Sequence, residues 1–282
     1  MTRQLTTVLG GLAFPEGPRW RDGRLWFSDM HANEVVAMTP DGDRETVFAA
    51  AGPVSGLGWL PDGRMLVVSM VDQKLLRIEA DGRAVVHGDL SSVATGRCND
   101  MVVDAKGRAY VGNFGVGFPD GPVQPARMAR VDPDGTVSEA AADLVFPNGA
   151  MITPDGKTLI VGETFAGQMT AFDIAADGVL SGRRVWAKLP EGAVPDGACL
   201  DAEGAAWVAS PTTNDVIRLK EGGEVTERIT ADQGCFACML GGDDRKTLYV
   251  LTAAGSDPED CAARRLGRIE AVQVDVAGAG LP

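Results

Sequence analysis

Histidine and tyrosine are nearly missing from this chain, with two of each in 282 residues, and aromatic residues make up only 6% of it. His31 and His87 come without any Gly-x-Ser-x-Gly segment, which argues against a serine-nucleophile hydrolase; both are expected in surface or loop positions. No run of five Lys and Arg residues occurs, and the formal charge is −13. Phosphate contacts need clustered cations, so nucleic acid and anionic membrane surfaces are unsuitable partners. No stretch approaches the roughly 18 apolar residues of a membrane span. Residues 1–17 carry one arginine and an apolar patch broken by Gly10 and Gly11, and lack the apolar core of a secretory signal. Cysteines number five, an odd count that points to a reducing compartment rather than a disulfide framework. The expectation is a soluble cytoplasmic protein. A Walker A motif, a glycine fingerprint between strand and helix, and a sustained helical period are also missing.

Repetition is what the chain has instead. A short apolar run, a polar turn and an alternating apolar strand recur six times. The turns close on Gly23, Gly63, Gly107, Gly156, Gly204 and, in the last copy, Asp244. Their spacings are 40, 44, 49, 48 and 40 residues. A second strand follows each: 34–38, 74–78, 127–131, 168–172, 215–219 and 268–272. Most of these end in an Asp-Gly or Gly-Gly turn of their own, the strongest short-range signal for a hairpin because the turn needs positive φ. Repeats of this length, each giving three or four short strands, predict an all-β, six-bladed β-propeller with a central channel. Residues 1–282 are read as a single domain. Leu5–Leu9 has strand composition and precedes the first blade; it is expected to supply the outer strand of the sixth blade and close the ring, removing exposed edges.

In a propeller the innermost strand of each blade begins at the channel, so equivalent positions converge on one axis. Counting back eight residues from each turn gives Ser55, Asn99, Asn148, Asp196 and Phe236; a count of seven in the first blade gives Glu16, consistent with a turn one residue shorter. Three of these positions sit in near-copies of one motif: Phe14-Pro15-Glu16-Gly17, Phe146-Pro147-Asn148-Gly149 and Val194-Pro195-Asp196-Gly197. Asn or Asp before Gly is an ordinary turn former when met once. Four oxygen donors in register across six blades, one of them Glu, point further. Two carboxylates at a crowded axis repel and lose hydration unless a cation neutralises them. The ring therefore predicts one divalent metal, with Ca²⁺ ahead of Mg²⁺ and Mn²⁺ for oxygen donors and Zn²⁺ kept in the set.

Those motifs, together with Arg97-Cys98-Asn99-Asp100 and taken in this order and spacing, resemble the regucalcin/gluconolactonase (senescence marker protein-like) family, over about Phe14 to Val274. The resemblance implies a six-bladed propeller with one divalent metal in the channel and sugar-lactonase members. Carried over by position, it makes Glu16, Asn148 and Asp196 the metal ligands. Asn99 becomes a contact to substrate or bound water, Arg97 a substrate contact, and Asp196 the general base. The implied reaction is metal-assisted opening of a lactone, a sugar lactone first or a related cyclic ester. A phosphotriesterase-like hydrolase and a non-catalytic calcium-binding propeller are the alternatives, with strictosidine-synthase-like condensation more remote.

Three other features frame the site. Cys235-Phe236-Ala237-Cys238 is a lone pair with no second pair, so it reads as small buried residues of an inner strand rather than as a zinc or redox centre. Residues 113–125 form the longest break in strand pattern and are expected to lean over the channel mouth as a lid. Phe14, Phe114, Phe118, Phe146 and Phe236 are expected near that mouth, which would favour a partly apolar lactone over a fully hydroxylated one.

Overall fold

Asp-Gly turns at regular intervals fold this chain into hairpins. In the computed structural model, which describes residues 3–115 and 121–282, those hairpins assemble into six blades around an axis. The inner strands are Pro15–Arg21, Val54–Trp59, Cys98–Val103, Pro147–Ile152, Ala198–Asp201 and Gly234–Gly241. Each pairs antiparallel with the next strand of its blade. The blade-one hairpin turns through two residues, Asp22 (φ 51°) and Gly23 (φ 72°), between the paired Arg21 and Arg24. In blade two the backbone bond from Leu60 to Arg64 encloses three residues, Pro61 to Gly63. That difference is the one-residue offset between blades.

The ring closes as expected. Strand Thr6–Leu12 pairs with Gly267–Gln273 and completes blade six. The closing interface is built on a missing side chain: a Cβ at Gly241 would lie 2.4 Å from the Trp20 indole, which instead stacks at 5.7 Å on Tyr249. The cores lie between blades, and the largest combines side chains of blades five, six and one.

Two elements were not expected. Helix Pro258–Arg264 interrupts blade six, capped by Asp257, whose side chain accepts from the Asp260 N–H. The strand Gly278–Ala279 pairs with Leu200 and Asp201 at the base of blade five, and Leu281 bridges to Ile152 of blade four. The C-terminal tail thus fastens the inner strands at the end opposite the motif glycines. His87 is not at the surface either. Strand alternation in Ala84–Asp89 buries it, and burial lowers its pKa.

Candidate metal centre and channel mouth

Glu16, Ser55, Asn99 and Asn148 are each the second residue of an inner strand, while Asp196 lies two residues before its strand and Phe236 two residues into its own; hydrogen bonds link four of the six. Ser55 Oγ donates to Asn99 Oδ1 (3.1 Å), Asn99 Nδ2 to Asn148 Oδ1 (3.1 Å), and Asn148 Nδ2 to Asp196 Oδ1 (2.5 Å). The chain crosses blades two to five. Glu16, from blade one, accepts only from its neighbour, the Gly17 N–H, at 2.9 Å. Its Oε1 and the Oδ2 of Asp196 have no hydrogen-bond partner among the described residues.

The motif glycines explain how the donors come so close. A Cβ at Gly149 would sit 2.1 Å from the Asp196 carbonyl oxygen, and one at Gly197 would sit 2.5 Å from the Ala237 Cβ. Gly17, at φ 56°, faces the Ser55 carbonyl in the same way at 3.1 Å. Each glycine lets its backbone touch the next blade's ring segment. The residue after each donor is thus a close-approach position, beyond being a turn former.

The segments leading into the three motif donors are each held by a polar residue ending the neighbouring strand. Asp29 accepts from the Ala13 and Phe14 N–H groups at 3.1 and 2.7 Å. Glu163 accepts from Val145 N–H at 2.9 Å, and Ser210 Oγ from Val194 N–H at 3.1 Å. In blade three the strand-ending Asn113 plays a similar part through a side chain, accepting from Thr95 Oγ1 at 3.2 Å. Reading single motifs missed these three. Aligning the ends of the second strands, at Asp29, Glu163 and Ser210, exposes them.

Electrostatics set the character of the ring. Burial, followed by repulsion from Asp196, raises the Glu16 pKa well above the usual carboxylate range. Burial also raises Asp196, to about 8, with Asp100 adding to the rise and the Asn148 hydrogen bond opposing it. The nearby buried cation, Arg19, opposes the rise of Glu16 but ranks below these causes. Arg19 pairs with Asp100 at 2.7 Å and donates to the Leu57 and Pro18 carbonyls at 2.9 and 2.7 Å. Two desolvated carboxylates with free oxygens and two amides form a hard-oxygen donor set that fits a divalent cation. Among the described residues no three His, Cys, Asp or Glu side chains cluster as a metal site. The donor set here is half amide.

Arg97 is exposed on the rim, two residues before Asn99, and has no ion pair among the described residues. Cys98, beside it, points into the blade core. Cys235 and Cys238 are buried, reduced residues of the blade-six inner strand, as expected. His31 is half-buried in the turn Met30–Ala32, a loop position as expected, and stacks on Phe14 at 4.9 Å. Residues 116–120 of the expected lid, Phe118 among them, lie outside the described residues. A separate open groove of about 720 Å³ lies at the far end, lined by Asp104, Lys106, Arg108 and the C-terminal tail. Arg108 is already bonded there to Asp104, and Lys106 to the Ala176 carbonyl.

Comparison with known proteins agrees with this architecture. A pentonolactonase of Haloferax volcanii is 26% identical over 280 residues, covering 95% of this chain and 92% of that protein. Regucalcin of Gallus gallus is 31% identical over 259 residues, with 86% and 85% covered. A solved luciferin-regenerating enzyme superposes with a TM-score of 0.83 at 20% identity, over 99% of this chain and 98% of that one. A Xanthomonas campestris gluconolactonase does so with a TM-score of 0.78 at 24% identity, over 97% and 90%. These two likenesses establish the shared fold. Residues 14–254 match the family model described as the SMP-30/Gluconolactonase/LRE-like region, and the chain belongs to that family.

Proposed function

We propose that this protein is a divalent-metal-dependent lactonase, with Glu16, Asn148 and Asp196 holding the cation. The observation that carries this reading is the pair of buried carboxylates, Glu16 and Asp196, left without a cationic partner at the head of the channel. Family membership and the relatives named pentonolactonase and regucalcin support a lactone substrate and a calcium-like ion. When bound, a divalent cation supplies Lewis-acid polarisation of an ester carbonyl and acidification of water.

The chain's own residues do the rest. Asp196 has Oδ1 fixed by Asn148 and Oδ2 open, so it is placed to accept a proton from the attacking water. Water oxygen bonds to the carbonyl carbon, the ring C–O bond breaks, and the ring oxygen takes the proton back from Asp196 to leave as an alcohol. Asn99 is held between Ser55 and Asn148, which fixes its amide within the donor ring. Arg97, exposed on the rim and without an ion pair among the described residues, offers a guanidinium for the substrate and for the carboxylate that forms.

The test is lactone hydrolysis by chelator-stripped protein, repeated after adding Ca²⁺, Mg²⁺, Mn²⁺ or Zn²⁺ singly, beside Asp196→Asn and Glu16→Gln. Turnover should vanish on stripping, return with a metal, and fall at least a thousandfold in Asp196→Asn. Full turnover in verified metal-free protein would sink the metal dependence. An active Asp196→Asn with full metal content would remove Asp196 from the base role. Folded protein that binds a cation but opens no lactone would support a calcium-binding role instead.

A further inference from the structure

Asp196 is the one proposed ligand that lies outside a strand. Glu16 and Asn148 are second residues of inner strands, whereas the inner strand of blade five begins only at Ala198. Residues 194–197 are held instead by individual bonds. Val194 N–H donates to Ser210 Oγ, Asp196 N–H to the Ala209 carbonyl at 2.9 Å, and Gly197 N–H to the Phe236 carbonyl at 2.8 Å. Pro195 has no N–H to offer. Its carbonyl accepts from Thr164 Oγ1 at 2.8 Å, a bond that comes from blade four, the blade that presents Asn148.

Thr164 also reaches back into its own blade. Its N–H donates to the Phe146 carbonyl at 3.1 Å, two residues before Asn148. One residue thus ties the lead-in to Asn148 to the lead-in to Asp196. Met30, Met70 and Phe114, which follow the second strands of blades one, two and three, make the same backbone bond to the carbonyls of Phe14, Pro53 and Arg97. Of these four equivalent residues, Thr164 is the one with a hydroxyl. It is buried, and a Cβ at Gly162 would lie 3.1 Å from the Pro195 Cβ, so the two segments pack closely and leave little room for water in place of that hydroxyl. The Asn148 Nδ2 to Asp196 Oδ1 bond spans the same two blades.

Resting on the metal-dependent lactonase reading above, we infer that Thr164 is a positioning residue for that reaction. Its hydroxyl fixes the Asp196 backbone against the Asn148 strand and so sets the spacing of two cation ligands. Thr164 acts through Pro195 and not on the substrate. Removing a partner one step out from a metal ligand typically weakens metal binding by roughly 10- to 100-fold.

The experiment titrates Ca²⁺ and Mn²⁺ separately, by calorimetry, into chelator-stripped wild type, Thr164→Val, Thr164→Ser and Tyr110→Phe, and records the Tm of each metal-free protein. Valine keeps the shape of threonine and removes the hydroxyl, whereas serine keeps the hydroxyl. Tyr110→Phe is the control: it removes another buried hydroxyl-to-carbonyl bond, to Gly178 at 2.9 Å, from the second strand of blade three and outside the ring. Thr164→Val and Tyr110→Phe should both lower Tm. Thr164→Val alone should weaken cation binding, by about tenfold or more, and Thr164→Ser should stay within about threefold of wild type. At saturating cation, kcat for D-glucono-δ-lactone and dihydrocoumarin should fall in Thr164→Val with little change in KM. Thr164→Ala serves the same comparison if the valine variant does not fold. Unchanged cation binding in Thr164→Val, or an equal weakening in Tyr110→Phe, overturns the inference and leaves the lactonase reading standing. A wild type that binds the cation but opens neither lactone, with binding still weakened in Thr164→Val alone, removes the lactonase reading and keeps Thr164 as a determinant of the cation site. A wild type that binds neither cation overturns both.

Discussion

Replacing Asp196 by Asn should stabilise the metal-free protein while abolishing its activity. The wild-type side chain passes from an ordinary value of 3.8 to about 8 in the folded, metal-free state. Folding therefore forces it to keep a proton that the unfolded chain releases. Stability from such a group is fully present below pH 4 and is lost progressively up to about pH 8. At about 1.4 kcal/mol per pH unit, the penalty is roughly 1.5 kcal/mol at pH 5 and roughly 4 kcal/mol at pH 7. Glu16 shifts in the same direction, and the two cannot be summed because each proton affects the other. An amide carries no charge and its oxygen still accepts from Asn148 Nδ2, so the variant escapes the penalty. The difference of about 3 kcal/mol between pH 5 and pH 7 corresponds to roughly 5–10 °C in Tm for a chain of this size.

The assay is thermal melting of chelator-treated wild type and Asp196→Asn between pH 5 and pH 8, with and without a millimolar divalent cation. His31 and His87, both lowered by burial, act in the opposite sense: folded stability rises with pH as the unfolded histidines lose their protons. The variant-minus-wild-type difference cancels them and is the quantity to read. It should grow with pH in metal-free protein. Saturating cation should stabilise the wild type, by about 4 kcal/mol at a thousandfold excess over Kd, and leave the variant unmoved. A difference that is flat across this range, or that shrinks with pH, would refute the reading of Asp196 as an uncompensated buried carboxylate.

Four other outcomes follow from the same structure. Gly149→Ala should lower stability by about 3 kcal/mol and weaken cation binding, because its Cβ would collide with the Asp196 backbone. Gly204→Ala, with φ 75° but open space around it, should lose only about 1 kcal/mol in urea unfolding and keep its cation affinity. Glu163→Ala should lower stability by about 2–3 kcal/mol, since Val145 N–H, Thr170 and Arg183 all lose a buried partner; it should also raise KM more than Glu163→Gln does. All five thiols are buried, with Cys98 pushed up to about 12, so a disulfide-exchange reagent at pH 8 should label them only after denaturant is added.

The blades were readable because their signal is local and repeated: positive-φ turns at a fixed period leave few alternatives. The donor ring was readable for the same reason, since repeat phase converts sequence spacing into a shared axis. Asp29, Glu163 and Ser210 were not, because three residue types do one job at strand ends and each looks ordinary alone. The helix Pro258–Arg264 is too short to show a helical period, although Asp257-Pro258 is a usable start signal. Gly278–Ala279 carries no local signal, and its pairing depends on where blade five places Leu200.

One physical constraint connects the fold to the site. Inner strands packed around an axis leave no room for side chains between them, so glycine after the donor sets how closely neighbouring donors approach. That closeness desolvates Glu16 and Asp196 and sets them against each other. Arg19 could have neutralised one of them, yet it is turned onto Asp100 and the carbonyls of Pro18 and Leu57. The raised pKa of the two carboxyls at the channel head is thus a product of the packing. A double substitution, Arg19→Met with Asp100→Leu, tests this: it removes a buried pair outside the donor set, so stability should change little. Without the Asp100 charge the Asp196 carboxyl should also titrate lower, making the metal-free melting less sensitive to pH. An unchanged pH sensitivity in a folded double variant would mean that burial alone, and not the arrangement of charges, holds the site in wait for a cation.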